Sequence, residues 1–251
     1  MEMLRLSPSR MNDFTNCPQL YKYRAIDQLP EPPSVDAERG KLVHAVLEDL
    51  FELPAQERTF ETARDLLPSR WQEALSNNSL LATLVLDEKE WLDRAQSLLQ
   101  NYFVLEKPHT FESTHREYHL EQNIDEEIYL HGYVDRIDVA PTGQVRIVDY
   151  KTGKSPKPGW EEKALFQVRV YALLYWKNTG VLPSLLQLIY LGDSKLLKSS
   201  PSEAELAATE KILKNIGSEI LSAIESGEFP TKKSRLCDWC FFKPICPAHN
   251  R

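Results

Sequence analysis

Four cysteines at the two ends of the sequence constrain the fold more than any other feature. Cys17 lies near the N-terminus, whereas Cys237, Cys240 and Cys246 lie in the segment CDWCFFKPICP. The spacing C-x2-C-x5-C is typical of metal ligands, and a closed four-coordinate site needs one more donor. Cys17 and His249 are both candidates for the fourth ligand, and spacing alone does not decide between them. If Cys17 completes the site, the fold must bring the two ends of the chain together.

The overall charge and hydropathy limit the kinds of partner. The formal net charge of -7 argues against a protein coated in positive charge for duplex DNA, although a local basic channel is compatible with it. No apolar run approaches the ~20 residues of a membrane span, and the N-terminal segment MEMLRLSPSR lacks the apolar core of a secretory signal. We therefore expect a cytoplasmic protein without membrane contacts, in which the cysteines bind metal rather than form disulfides.

The first half of the sequence is predicted to be helical. Ser7 followed by Pro8 favours a short helix towards Thr15, and Pro18 favours the start of a second one. A third helix is predicted over 36–53, where the apolar stripe consists of Leu42, Val46, Leu50 and Leu53. Two more helices, near 59–76 and 87–105, form an insertion before the sheet.

The apolar pattern then changes from a helical to an alternating period. Three strands are predicted, at TFESTHREYHLEQNI, IYLHGYVDRIDVA and QVRIVDYKT, with a hairpin turn at PTG between the last two. They are followed by a helix at EEKALFQVRVYALLYWKN, a buried strand at LLQLIYLG and a long helix at SEAELAATEKILKNIGSEILSAIESG. The order helix, three antiparallel strands, helix, strand predicts an α/β fold in which a meander and a crossover share one sheet.

Two adjoining strands carry a candidate metal site. Asp149 and Lys151 are two residues apart in one strand, so their side chains project from the same face. Asp135 lies on the neighbouring strand, close to them if the hairpin has the register that its turn suggests. Two carboxylates beside a lysine form a hard-oxygen site for Mg²⁺ or Mn²⁺, which would polarise a phosphodiester and activate water. The alternative is a surface ion pair at the edge of the sheet.

Three further polar residues could belong to this site. His44 lies on the apolar helix before the sheet, where a histidine is usually a core side chain, but an imidazole beside carboxylates would favour Mn²⁺. Gln167 and Tyr171 share one face of the following helix and could contact a phosphate or the lysine. Taken alone, this pair is more typical of an ordinary helix surface.

Basic residues occur in three local groups, each of which could also be a solvated face. The groups are Arg10, Lys22 and Arg24; Lys151, Lys154, Lys157 and Lys163; and Lys232, Lys233 and Arg235.

Four motifs in order make the sequence resemble a known enzyme family. RGKLVHAVLE, GYVDRIDV, IVDYKTGK and QVRVYALLY resemble the successive motifs of RecB-type nucleases of the PD-(D/E)XK superfamily. SPSRMNDFTNCPQLYKYR and CDWCFFKPICP resemble the iron–sulfur subgroup, which includes AddB-type nuclease domains and CRISPR-associated spacer-acquisition nucleases. The resemblance spans residues 7–247 and implies a restriction-endonuclease-like core.

The resemblance also implies a division of the chain. It predicts a single nuclease domain over 1–251, with its core at 36–52 and 109–226 and the helical insertion at 53–108. The terminal segments 7–35 and 227–251 would form the iron–sulfur region.

The same resemblance implies roles for individual residues. His44, Asp135, Asp149 and the backbone carbonyl of Tyr150 would bind Mg²⁺ or Mn²⁺, and Lys151 would be the catalytic lysine. Gln167 and Tyr171 match the motif that follows it. Glu117 matches an acidic position on the first strand, for which a surface salt bridge is an equal alternative.

A [4Fe–4S] cluster is implied at the cysteines, held by Cys17, Cys237, Cys240 and Cys246 rather than by a zinc site that includes His249. Such a cluster would fasten the terminal segments. It would also shape a DNA channel flanked by Lys22, Arg24, Lys232, Lys233 and Arg235, with Arg10 and Lys154 as further DNA-binding candidates.

The implied function is a metal-dependent DNA exonuclease that acts on single strands or DNA ends in repair or recombination. The sequence contains no Walker motif, so the protein would either work alone or act with a helicase supplied in trans. One alternative is a spacer-acquisition nuclease that trims DNA for an integrase. Two others are a non-catalytic iron–sulfur module that binds nucleic acid and a structural protein with a zinc-binding tail.

Overall fold

The computed structural model describes residues 3–249 and contains six strands and eight α-helices within them. The strands are β1 (Leu4–Leu6), β2 (His115–Asn123), β3 (Ile128–Val139), β4 (Val145–Lys151), β5 (Leu185–Tyr190) and β6 (Lys195–Ser199). The helices are α1 (Pro8–Asn16), α2 (Pro18–Tyr21), α3 (Val35–Glu52), α4 (Phe60–Asn77), α5 (Leu81–Leu84), α6 (Glu88–Leu105), α7 (Glu161–Thr179) and α8 (Glu203–Ser226). No helix within 3–249 is long and apolar enough to cross a membrane.

The chain divides into two compact units, each built from separate stretches of sequence. The larger unit comprises 33–119 and 133–202, and the smaller one comprises 120–132 together with the described residues up to 32 and from 203 onwards. The predicted boundaries of the terminal segments and of the helical insertion stay predictions.

In the larger unit, the sheet has the predicted mixture of meander and crossover. β3 and β4 are antiparallel, with Arg136 opposite Val148, and the predicted PTG turn joins them. Gly143 in that turn has φ 84°, a conformation that glycine adopts without strain. β5 then pairs in parallel with β4 after the α7 crossover. An additional short strand, β6, pairs antiparallel with β5.

Three helices supply the core of the larger unit on one side of the sheet. Leu42, Val46 and Leu50 of α3 are fully buried, as their spacing predicts. Trp71 of α4 and Trp91 of α6 pack with their ring centroids 4.5 Å apart. The predicted helical insertion is therefore part of the core that supports α3 and β4.

The smaller unit combines a parallel strand pair with helices from both ends of the chain. β1, which the sequence pattern did not predict, pairs in parallel with the beginning of β3, with Leu4 opposite Ile128. A Cβ at Gly217 of α8 would lie 2.3 Å from Ile128 Cδ1, so this helix packs closely against β3 and a larger residue there would displace the Ile128 side chain. α1 begins as predicted, because the Ser7 side chain accepts a hydrogen bond from the Arg10 amide.

Candidate active site and cysteine site

His44, Glu117 and Asp135 bring three metal-ligating side chains together in the larger unit. One ligand atom from each residue lies within 4.8 Å of the others, and no other such set of three occurs within residues 3–249. His44 Nδ1 lies 3.5 Å from Asp135 Oδ1, and all three residues are partly buried. The elements α3, β2 and β3 thus each contribute one donor to a mixed nitrogen and oxygen set.

Glu117 reaches this site because β2 is irregular. Its φ of 41° is rare for a residue with a side chain and is unusual within a strand. The rings of His115 and Tyr118 stack at 4.2 Å, although residues three apart in a regular strand face opposite sides. An extra residue between them therefore shifts the alternation of the strand, in the manner of a β-bulge, and aims the Glu117 carboxylate at the metal ligands.

Asp149 and Lys151 lie beside this set and contact each other. Lys151 Nζ lies 2.7 Å from Asp149 Oδ2, as their shared strand face predicts. Lys151 also donates a hydrogen bond to Gln167 Oε1 at 2.9 Å. The Gln167 amide nitrogen in turn donates to Asp149 Oδ1 at 3.1 Å and to the Tyr171 hydroxyl at 2.8 Å. Gln167 thus fixes the positions of both the lysine and the acid.

Asp135 and Asp149 are neighbours across the hairpin. Arg136 and Val148 are paired, and Asp135 comes just before Arg136 whereas Asp149 comes just after Val148, so the antiparallel register brings the two carboxylates to adjoining positions. The Tyr150 amide donates to Asp135 Oδ2 at 2.5 Å. Asp149 Oδ2 is buried and lies 2.7 Å from Lys151 Nζ, so a cation bound here would share this oxygen with the lysine. The role of the Tyr150 carbonyl stays a prediction.

The electrostatics of the site favour the binding of a cation. Burial and the nearby Asp135 carboxylate raise the pKa of Asp149 to about 6. The same two causes raise the pKa of Glu117 to about 7. Burial lowers the pKa of His44, but the carboxylates around it raise that pKa by more. Ionisation of these neighbouring carboxylates therefore costs the folded state free energy, and a bound divalent cation would remove that cost.

The pKa of Lys151 is also raised. Burial lowers it, but the contact with Asp149 raises it by more. The ammonium group therefore stays protonated near neutral pH, so it can donate hydrogen bonds but cannot act as a base.

A network of buried charged side chains stabilises β3 and β4. Arg136 is fully buried, contacts Glu106 at 2.8 Å and Asp138 at 3.0 Å, and donates to the Tyr150 hydroxyl at 2.6 Å. Sequence reasoning missed this residue, because an arginine between two acids in a strand is usually solvated. Its position on the buried face of β3, in phase with Val134, was the available signal.

The turn after Lys151 is held by close backbone packing. The Gly192 amide donates to Gly153 O at 3.1 Å, and a Cβ at Gly192 would lie 2.6 Å from that oxygen. Leu191 likewise donates to Lys151 O at 2.8 Å. The end of β4, which carries the lysine, is thus fixed by the residues that follow β5.

In the smaller unit, the four cysteines and His249 line one cavity of about 50 Å³. Backbone amides point at two of the sulfurs: Lys232 N lies 3.4 Å from Cys17 Sγ, and Ser234 N lies 3.4 Å from Cys237 Sγ. Tyr23 connects the same segments, because its hydroxyl donates to Ile245 O at 3.2 Å. The fold therefore brings Cys17 to the C-terminal cysteines.

The predicted basic residues have different surroundings. Lys22 pairs with Asp27 at 2.7 Å, and Arg24 pairs with both Asp13 and Glu31. The remaining candidates lie at the surface or are partly exposed, namely Arg10, Lys154, Lys232, Lys233 and Arg235. The structure places none of these seven residues among the metal ligands described above.

Comparison with known proteins identifies relatives of the chain. Residues 5–247 match the family model described as the PD-(D/E)XK nuclease superfamily. Gene 69 protein of Mycobacterium phage D29 is 28% identical over 200 residues, which cover 70% of each chain. The crystal structure of a candidate exonuclease from Eubacterium rectale aligns with a TM-score of 0.61 and 14% identity, over 98% of this chain and 88% of that chain. At this identity, the structural likeness concerns the fold alone.

Proposed function

Because the chain belongs to the PD-(D/E)XK nuclease superfamily, we propose that it is a metal-dependent DNA exonuclease. It would act on single strands or DNA ends in repair or recombination. The observation that supports this proposal best is the convergence of His44, Glu117 and Asp135 beside the Asp149–Lys151 pair. A protein that only binds nucleic acid has no need of such an arrangement.

The donor set suits a divalent cation such as Mg²⁺ or Mn²⁺. His44, Glu117, Asp135 and Asp149 would hold the ion, with one imidazole and three carboxylates that are partly or fully buried. When bound, such an ion supplies Lewis-acid stabilisation of the charge that develops on a phosphate. Asp149 Oδ2 already contacts Lys151 Nζ at 2.7 Å, so the ion would share this carboxylate with the lysine.

Lys151 and Gln167 would complete the catalytic machinery. Lys151 keeps its proton, so its ammonium group would offset negative charge on the scissile phosphate and orient the reacting groups. Gln167 accepts a hydrogen bond from Lys151 and donates to Asp149 and Tyr171, which fixes the lysine in place. Gln167 and Tyr171 would therefore act by positioning.

Cleavage of end-labelled single-stranded DNA with Mn²⁺ tests the proposal. Progressive loss of nucleotides from one end is expected, and Asp149→Ala and Lys151→Ala should each lower the rate by at least about 100-fold. Asp93→Ala and Lys89→Ala are matched controls, because they remove an exposed ion pair (2.7 Å) of the same residue types on α6 of the larger unit. Intact DNA in the presence of folded, metal-bound protein would contradict the proposal.

For the cysteines, we propose a structural [4Fe–4S] cluster. Thiolates of Cys17, Cys237, Cys240 and Cys246 suit such a cluster, and backbone amides directed at sulfur are typical of its surroundings. A tetrahedral zinc ion with Zn–S bonds of ~2.3 Å holds its sulfurs about 3.8 Å apart. Within residues 3–249, no three donors from the cysteines and His249 meet even a 4.8 Å limit. The wider spacing favours the cluster over a single zinc ion.

Iron analysis tests this second proposal. Cys17→Ser should lose iron and thermal stability together, because the cluster would join two segments more than 200 residues apart. His249→Ala is the matched variant and should keep its iron. Full iron content in Cys17→Ser, or bound zinc that depends on His249, would exclude the cluster as proposed.

A further inference from the structure

The segment that carries the three C-terminal cysteines exposes large aromatic side chains. Trp239 is 79% exposed and Phe241 is 52% exposed. The adjacent Phe242 is only 3% exposed and packs against Tyr23, with ring centroids 5.0 Å apart. The segment could therefore bury an aromatic ring, yet it leaves two rings in solvent. Exposed aromatic rings in a fixed loop commonly mark a binding surface.

The segment that carries these rings is rich in basic residues. Residues 229–249 contain Lys232, Lys233, Arg235 and Lys243 but only one acid, Asp238, whereas the whole chain has a net charge of -7. Asp238 lies 3.2 Å from Lys243, so that acid is already neutralised. Cysteine thiolates carry negative charge of their own and offset part of this excess. Lys233 and Arg235 are nevertheless exposed, four to six residues before Trp239 in the same segment.

The loop that presents the rings is anchored on both sides. The Tyr23 hydroxyl donates to Ile245 O, and Lys232 Nζ donates to Thr15 O at 3.0 Å. The Ser234 side chain accepts from the Leu236 amide at the start of the turn that contains Cys237. Because these contacts hold the loop in place, little conformational entropy would be lost when a ligand binds to Trp239.

We propose that Trp239 and Phe241 form a stacking platform for the bases of single-stranded DNA, with Lys233 and Arg235 contacting the phosphates. Every base has a flat face that stacks on an aromatic ring, and flanking cations follow the backbone. Paired bases in a duplex do not expose these faces, so the platform would favour single strands. The choice of DNA as the ligand rests on the proposed nuclease function, whereas the platform itself rests on exposure and charge.

Binding of a labelled oligothymidylate tests the platform without cleavage. Fluorescence anisotropy is measured in an Asp149→Asn background, with about 20 nucleotides of single strand and a duplex of equal length. Trp239→Ala should weaken single-strand binding about tenfold, since stacking contributes ~1–3 kcal/mol per base. Trp239→Phe should stay within about threefold of the parent. Trp239→Leu should match Trp239→Ala, because leucine keeps apolar volume but offers no flat ring.

Two controls separate binding from folding. Iron content is measured for each variant, because Trp239 lies between Cys237 and Cys240. If Trp239→Ala loses iron, the comparison of Trp239→Phe with Trp239→Leu decides, since both keep a large side chain. Leu86→Ala removes another exposed apolar residue (95%), in the larger unit, and should leave binding unchanged.

Each outcome either supports or overturns the platform. Equal binding by Trp239→Phe and Trp239→Leu would show a general apolar surface, such as one that docks a protein, and would overturn the proposal. Unchanged binding by Trp239→Ala with intact iron would also overturn it. Loss of binding in Trp239→Ala together with an inactive wild-type enzyme would support the platform while contradicting the nuclease function. Cleavage by the wild type, together with binding that does not depend on Trp239, would support the nuclease function and overturn the platform.

Discussion

Asp149→Asn should make the protein more stable when no divalent cation is present. In the folded chain, burial and Asp135 raise the pKa of Asp149 from its ordinary value of 3.8 to about 6. A raised carboxyl pKa means that the folded state binds a proton more tightly than the unfolded state does. The stability of the wild type therefore falls as the pH rises from about 4 to about 6, and stays lower above that range. Asparagine has the shape of the neutral acid and does not carry this cost.

The size of the effect follows from the two pKa values. At about 1.4 kcal/mol per pH unit, ionised Asp149 costs the folded state about 3 kcal/mol at neutral pH. For a chain of this size, ~1 kcal/mol corresponds to roughly 2–4 °C in Tm. Asp149→Asn should thus unfold roughly 6–12 °C above the wild type at about pH 8. The difference should vanish only below about pH 3, where the Asp149 carboxyl is protonated in both the folded and the unfolded state.

A divalent cation should reverse the order of the two proteins. Thermal unfolding is followed across this pH range, first with a chelator that leaves the iron content unchanged and then with Mg²⁺ or Mn²⁺. At 1,000 times its Kd, the ion stabilises the wild type by about 4.1 kcal/mol, which exceeds the cost of about 3 kcal/mol, whereas Asp149→Asn has lost a ligand. Asp193→Asn is a control for which we expect the opposite change in stability. Burial raises the pKa of Asp193, but hydrogen bonds from Ser155 lower it by more, so this variant should be less stable than the wild type.

Two results would refute this reasoning. An Asp149→Asn protein that is no more stable than the wild type at about pH 8 would mean that the buried carboxylate carries no cost. A gain of equal size at every pH would mean that the substitution acts through packing rather than through ionisation. In either case, the electrostatic argument for a cation at this site would be wrong.

Three further variants test the surroundings of the site. Arg136→Met should lower the free energy of unfolding by up to about 3–5 kcal/mol, because the buried Glu106 and Asp138 keep only the partly exposed Arg146 as a counter-charge, and chemical denaturation measures this loss. Gly192→Ala should lower stability by about 1–3 kcal/mol and reduce the cleavage rate, because the added Cβ meets Gly153 O at 2.6 Å and displaces the turn after the catalytic lysine. Equal cleavage rates for the wild type and this variant at equal metal occupancy would show that the turn does not position the lysine. His44→Ala should raise the Mn²⁺ concentration for half-maximal activity at least about tenfold and raise that for Mg²⁺ less, since imidazole favours Mn²⁺.

The sequence predicted secondary structure best where a single period of apolar residues dominates a segment. Alternation in GYVDRIDV and IVDYKT identified β3 and β4, and the i, i+2 rule brought Asp149 and Lys151 to one face. The short strands β1 and β6 escaped prediction, because three to five residues carry too little pattern to reveal a period. β1 pairs with β3, which is distant in sequence, and β6 pairs with the free edge of β5.

Glu117 shows why part of the site could not be derived from spacing. In a regular β2 strand, alternation alone would decide the face on which the Glu117 side chain lies. A surface salt bridge would then be predicted as readily as a place in the metal site. The positive φ at this residue changes the phase, and no sequence signal marks it, because glutamate does not favour that conformation. Lys22 and Arg24 show the same limit, since their acidic partners come from a turn that the local pattern does not specify.

The buried charges around Arg136 also restrict how this sequence can evolve. Exchange of Arg136 alone leaves two buried acids with only Arg146, and exchange of either acid removes a partner of the buried Arg136, whereas joint exchange of all three leaves only the partly exposed Arg146. A lineage that moves from the charged to the apolar version must therefore pass through poorly folded intermediates. Among descendants of this sequence, the three positions should change together or be retained together.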